Sequence, residues 1–126
     1  MRIFVTRAFR RLDVAGKLSY ADLTAVVSEM KDGLQGVNLG GRVYKKRVAL
    51  TGRGKSGGAR TLVAFEKNER AIFLYGFSKN QRDNISDKEK KALKLLARDL
   101  LGYGDRRLNM ALRHGALIEV KVRNHE

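Results

Sequence analysis

The segment AIFLYGF, residues 71–77, constrains the fold more than any other part of the chain. Alternate residues of a strand point to opposite faces of a sheet. Here both sets are apolar, so the segment belongs in the middle of a sheet and not at its edge. Other strands must flank it, and several candidates are present. Residues 3–6 read as a short first strand. Residues 43–50 and 61–65 read as two more, and residues 67–70 (Lys-Asn-Glu-Arg) are short enough to close a hairpin onto 71–77. Residues 117–122 read as the last strand.

Helical periodicity fills the rest. Ser19 can cap a helix with Asp22 near its positive end, and Leu23, Val26, Val27 and Met30 form one apolar stripe. Gly33 and Gly36 end that helix, and Gly40-Gly41 makes a turn. Ser86 and Glu89 have capping-box spacing, and Leu93, Leu96, Ala97 and Leu100 are expected to face the core from the helix they begin. Gly102 and Gly104 stop it. Residues 9–14 and 105–114 give two weaker helical signals. With 126 residues, 43% hydrophobic content and no linker or repeat, residues 1–126 are expected to form one domain. There is no cysteine, hence no disulfide framework or thiolate metal site, which fits a reducing cytoplasm. No apolar run approaches membrane-span length. The start, MRIFVTRAFRR, reads as a strand and not as a signal segment.

The charge is concentrated. Lys and Arg number 27 against 13 acids, a net +14. Between residues 33 and 65 there is no Asp or Glu, yet Arg42, Lys45, Lys46, Arg47, Arg53, Lys55 and Arg60 all fall there. Seven cations without a counter-charge repel one another unless an external polyanion sits among them. Inside this stretch, Ala49 to Ser56 fits a relaxed nucleotide-binding phosphate loop: a small residue, four of any kind, then Gly-Lys-Ser. Such a loop needs a helix after it, because helix-terminal amides hold the phosphates. The next residues are Gly57-Gly58 and, after Ala59 and Arg60, Thr-Leu-Val-Ala-Phe, a run that breaks a helix and favours a strand. The glycines suit close backbone approach to a phosphodiester instead. Arg53 and Lys55 would contact it. Alternation puts Lys45 and Arg47 on one face of their strand, and Lys46 with Tyr44 and Val48 on the other, where its stem can cover the core. Arg60 opens the returning strand, and Lys79 lies just beyond the central one.

These segments resemble a known family. The run YKKRVALTGRGKSGGARTLVAF, then a turn, then IFLYGFSKNQRDNIS and a leucine-rich helix, is similar to the RelE/HigB-like toxins of bacterial type II toxin–antitoxin systems. The likeness spans residues 39–101. It implies an α+β fold, a small, twisted, mostly antiparallel sheet with helices packed on one side. It implies cleavage of messenger RNA on the ribosome, inhibition of translation, no cofactor, and a cognate antitoxin of acidic or helix-turn-helix type. By motif position, Lys45 and Arg47 match two basic strand residues of the family site, Arg60 its phosphate-gripping arginine, and Lys79 its basic segment after the central strand. Arg53, Lys55, Lys46, Asn80 and Arg82 are the accompanying RNA-binding candidates. Where some members have arginine after the lysine, this chain has Asn80, and where some have tyrosine, it has Ser86. The acid and base of those members do not carry over.

Chemistry narrows the mechanism separately. His114 and His125 both lie outside the basic cluster, so a paired-histidine ribonuclease is disfavoured. The cluster has no acidic group to hold magnesium for a two-metal mechanism. Attack by the RNA's own 2′-hydroxyl remains, which needs alignment and cations around the developing phosphorane. Lys45 is the candidate base, with Lys55 and Lys79 as rivals. Competing readings are a non-catalytic RNA- or DNA-binding module, in which Tyr44, Tyr75 and Phe77 stack on bases, a protein-binding subunit, or a gyrase-directed toxin.

Overall fold

The computed structural model describes residues 1–49 and 58–121. Its elements run β1 (Arg2–Thr6), α1 (Arg7–Arg10), a 3₁₀ turn (Asp13–Lys17), α2 (Tyr20–Lys31), β2 (Val37–Gly40), β3 (Val43–Val48), β4 (Ala59–Glu66), β5 (Arg70–Ser78), α3 (Asp87–Leu101), α4 (Asp105–Arg113) and β6 (Leu117–Val120). The strands form one sheet in the order β2-β3-β4-β5-β1-β6. All neighbouring pairs are antiparallel except β1 and β5. The class is α+β, as the family resemblance implies, with the doubly apolar 71–77 segment inside β5, between β4 and β1.

Helices cover both faces of the sheet, which corrects the one-sided packing expected from the resemblance. On one face, α1, the 3₁₀ turn and α2 bury Phe9, Val14, Leu23, Val26, Val27 and Met30 against Ile3, Val5, Val63, Phe65 and Phe73. On the other, α3 and α4 bury Ala97, Leu100, Leu101 and Leu108 against Phe4, Val43, Leu62, Ala64, Ile72 and Leu74. The reason is already in β5. Apolar residues on both faces of a strand need an apolar layer on each side, and each large side chain so buried contributes about 1.5–3 kcal/mol. Both long helices start as their caps indicate. Ser19 accepts from the Asp22 amide and Ser86 from the Glu89 amide, with each carboxylate returning to the cap amide.

Three details differ from the sequence reading. The edge strand β2 has no counterpart there, being four residues long and half-exposed to exposed. Leu96 is 38% exposed; it lines a groove with Arg7, Arg11, Leu100 and Tyr103 instead of facing the core. β3 ends at Val48 and β4 starts at Ala59, so the strand expected to reach residue 50 stops earlier. The phosphate-loop match, residues 49–56, lies outside the described residues except for Ala49, and the first described element after it is strand β4. Among the described residues, no helix directly follows the match.

Candidate anion-binding cleft

The cleft rests on the register of three strands. In β3 and β4, Arg47 stands opposite Arg60 and Lys45 opposite Leu62. In β4 and β5, Arg60 stands opposite Phe77 and Leu62 opposite Tyr75. Side chains directly across a pair lie within about 5.5 Å at Cβ, so Arg47, Arg60 and Phe77 form a row over three strands, with Lys45 one pleat away. They project from the face that carries α3. Gly36, Val37, Lys45, Lys46, Arg47, Arg60 and Asp83 line a cavity of about 640 Å³ there. Gly36 can be only glycine: its φ is +77°, and a Cβ would collide with the Lys45 carbonyl oxygen. Gly58 likewise lies so close to the Val48 carbonyl oxygen that a Cβ cannot fit. Its own carbonyl accepts from the Lys79 amide at 3.3 Å, joining the start of β4 to the end of β5.

Arg60 is the unusual member. It is 9% exposed, and its Nη1 is buried with no hydrogen-bond partner among the described residues. Burial pushes its pKa down, and the neighbouring Arg47 charge pushes it down further. A guanidinium stays protonated at neutral pH regardless. The site therefore holds a desolvated cation beside a like charge, an arrangement that an incoming anion relieves.

The sequence candidates separate into distinct groups. Lys45, Arg47 and Arg60 share the cleft face. The Lys45 ammonium donates to Asn84 Oδ1 at 3.4 Å. Lys46 points its ammonium the other way, to Glu29 of α2 at 2.6 Å, and is 8% exposed. Alternation correctly puts it on the apolar side, and its charge is matched within the fold. Lys79 and Asn80 are exposed in the turn after β5. Arg82 does not stand free. It makes a two-pronged ion pair with Glu89 at 2.9 and 2.6 Å, donates to the Tyr75 hydroxyl at 3.2 Å and to the Asn84 carbonyl at 2.9 Å, and stacks 5.7 Å from the Phe77 ring. That pairing, helped by the Ser86 amide, holds the Glu89 carboxyl at a pKa of about 2. Arg53 and Lys55 lie outside the described residues.

Of the aromatics, Tyr44 is on the opposite face, edge-on to Phe65 at 6.1 Å, and Phe77 is buried. Tyr75 is half-buried beneath Arg82. His114 caps α4 and is not part of the cleft lining. Residue-type reasoning passes over Asn84 and Asp83, which the turn after β5 brings to the cradle. Their signal is the segment Arg82-Asp83-Asn84 just before the capping box, where short polar residues favour a tight turn. Among the described residues, no three His, Cys, Asp or Glu side chains gather as a metal site, and no helix is long and apolar enough to cross a membrane.

A mostly antiparallel sheet covered by helices on both faces, with a cationic cleft on one of them, defines a small α+β protein. The family model for the RelE toxin of the RelE/RelB toxin–antitoxin system matches residues 1–120, and the chain belongs to that family. A cognate antitoxin is the partner that membership implies. No curated protein sequence matches the chain.

Proposed function

We propose that the protein is a metal-independent, ribosome-dependent messenger-RNA endoribonuclease that acts as the toxin of its pair, with residues 1–126 as one toxin domain working in the cytoplasm. The observation that carries this reading is Arg60, a buried guanidinium with one nitrogen unpartnered among the described residues, beside Arg47, at the wall of an open cleft. The 2′-oxygen attacks the adjacent phosphorus, the 5′-oxygen leaves, and the products are a 2′,3′-cyclic phosphate and a 5′-hydroxyl end. Charge builds on the non-bridging oxygens only during this step. Arg60 and Arg47 then stabilise the transition state more than the bound substrate, and arginine's planar fork suits two phosphate oxygens. Lys45, 3.4 Å from Asn84 Oδ1, is the candidate acceptor of the 2′ proton when in its neutral amine form, and the proton released in the step ends on the leaving 5′-oxygen. Lys79 supplies further positive charge at the end of β5. The ribosome would help align the 2′-hydroxyl with the scissile phosphate.

The test is expression of wild type and Arg60→Ala in bacteria, with transcript 5′-ends mapped. Growth arrest with new 5′-hydroxyl ends from wild type, both absent from Arg60→Ala, is the expected result. Unimpaired growth at high expression of folded wild-type protein counts against it. The antitoxin is expected to be acidic where it covers the cleft, with carboxylates standing where phosphates would. Its affinity should then fall as salt rises, since exposed charges are screened; an affinity that is flat with salt would reject that mode of inhibition.

A further inference from the structure

Among the described residues that line the cleft, one carboxylate stands with the cations. Asp83 lines the cavity together with Lys45, Arg47 and Arg60. It is exposed, and it makes no ion pair or hydrogen bond among the described residues. Its two neighbours in the chain are both anchored. On one side Arg82 is clamped to Glu89 and also donates to the Asn84 carbonyl at 2.9 Å. On the other, the Asn84 side chain accepts from the Ile85 amide at 2.9 Å and from Lys45 at 3.4 Å. Asp83 thus sits between two anchored residues, which limits where its carboxylate can reach. Val37, a large apolar side chain that is 53% exposed, also lines the cavity.

Cations, one carboxylate without a partner among the described residues and an exposed apolar side chain, all lining one cavity, match the three parts of a nucleotide. We propose that Asp83 reads the base next to the bound phosphate and selects guanine. The inference rests on the RNA-cleaving function proposed above and adds its sequence preference. A carboxylate only accepts hydrogen bonds. The Watson–Crick edge of guanine offers two adjacent donors, N1–H and the N2 amino group. Adenine and cytosine set a ring-nitrogen acceptor beside their amino group, which a carboxylate repels. Uracil places carbonyl oxygens on both sides of its single N–H. Val37 supplies the surface on which the flat base rests.

The substitution Asp83→Asn keeps size and shape but offers one donor and one acceptor, a pattern that fits adenine or cytosine. Two measurements on the full-length protein test the proposal. The first is mapping of cleaved transcripts: wild type should show guanine enriched at one fixed position beside the cut, and Asp83→Asn should lose it and gain adenine or cytosine. The second is binding of 2′-O-methyl trinucleotides, which cannot be cleaved by this route, with guanine, hypoxanthine or adenine at the central position. Wild type should prefer guanine over adenine on the order of tenfold, typical of a good bidentate contact, with hypoxanthine between. Asp83→Asn should reverse the outer pair. Equal affinities in wild type, or a guanine preference unchanged by Asp83→Asn, overturns the proposal. Guanine-selective binding without any cleavage sinks the nuclease reading and leaves this one standing.

Discussion

Lys46 and Arg60 are buried to nearly the same degree, 8% and 9% exposed, on the same hairpin. They sit on opposite faces of it. Lys46 meets Glu29 from α2, a partner that folding itself supplies. Arg60 meets Arg47 and an aromatic wall, and one of its nitrogens has no partner among the described residues. Burying a charge is unfavourable unless it is paired. The first cation is thus part of the scaffold. The second stands beside a like charge with no counter-charge among the described residues, a state that an external anion would relieve. Burial alone does not separate structural from functional charge; the location of the counter-charge does.

The largest effect should come from Arg60→Ala. Loss of about a hundredfold or more in cleavage is expected, typical of removing one transition-state donor. Affinity for ribosomes should fall far less, because the remaining cations keep the long-range attraction. Thermal stability should hold or rise, as a desolvated like-charged group is gone. A variant that cleaves like wild type breaks the comparison at its functional end. Glu29→Ala tests the other end. It leaves Lys46 without its carboxylate, so about 1–3 kcal/mol of stability should disappear, read by chemical denaturation. Cleavage per folded molecule should stay near wild type; its collapse would mean that Lys46 also serves the cleft.

Lys45→Arg sharpens the assignment within the cleft. Arginine keeps the charge but gives up no proton at neutral pH. If Lys45 is the base, cleavage collapses while binding holds, and full activity removes it from that role. The smallest effect concerns the Arg82–Glu89 clamp. Glu89 has its carboxyl pKa lowered from 4.5 to about 2 in the fold. Its contribution to stability is therefore fully present above about pH 4.5 and lost as pH falls toward 2. Glu89→Gln should be less stable at neutral pH and show a shallower decline through that window. Parallel acid-unfolding curves for the two proteins would show that the clamp adds nothing.

Local features of the fold are legible in the sequence, and pairings between distant segments are not. Strand alternation separates Lys46 from Lys45 and Arg47, and cap spacing places both long helices. Two-sided coverage is implicit in residues 71–77, yet the family likeness suggests one-sided packing. Glu29 lies 17 positions before Lys46, on a helix whose docking face no local rule relates to β3. The charge of Arg82 points to RNA, although Glu89, seven residues on, is already legible as a cap. That second use of one carboxylate depends on how the turn folds back. β2 is short, half-exposed and bounded by Gly36, Gly40 and Gly41, so neither propensity nor pattern marks it.

The position of β1 has a consequence for the order of assembly. β2 to β5 succeed one another as antiparallel neighbours, so the sheet beneath the cleft is joined by short connections and suited to early formation. β1 pairs in parallel with β5 and antiparallel with β6, with Arg2 and Glu119 ion-paired across 117 positions of sequence. Closing such long loops has an entropic cost that local contacts do not repay. During synthesis the hairpins beneath the cleft can form well before β6 emerges, whereas the first strand made is among the last to be enclosed. Pulse-labelled hydrogen exchange should accordingly protect the β3–β5 amides ahead of those in β1.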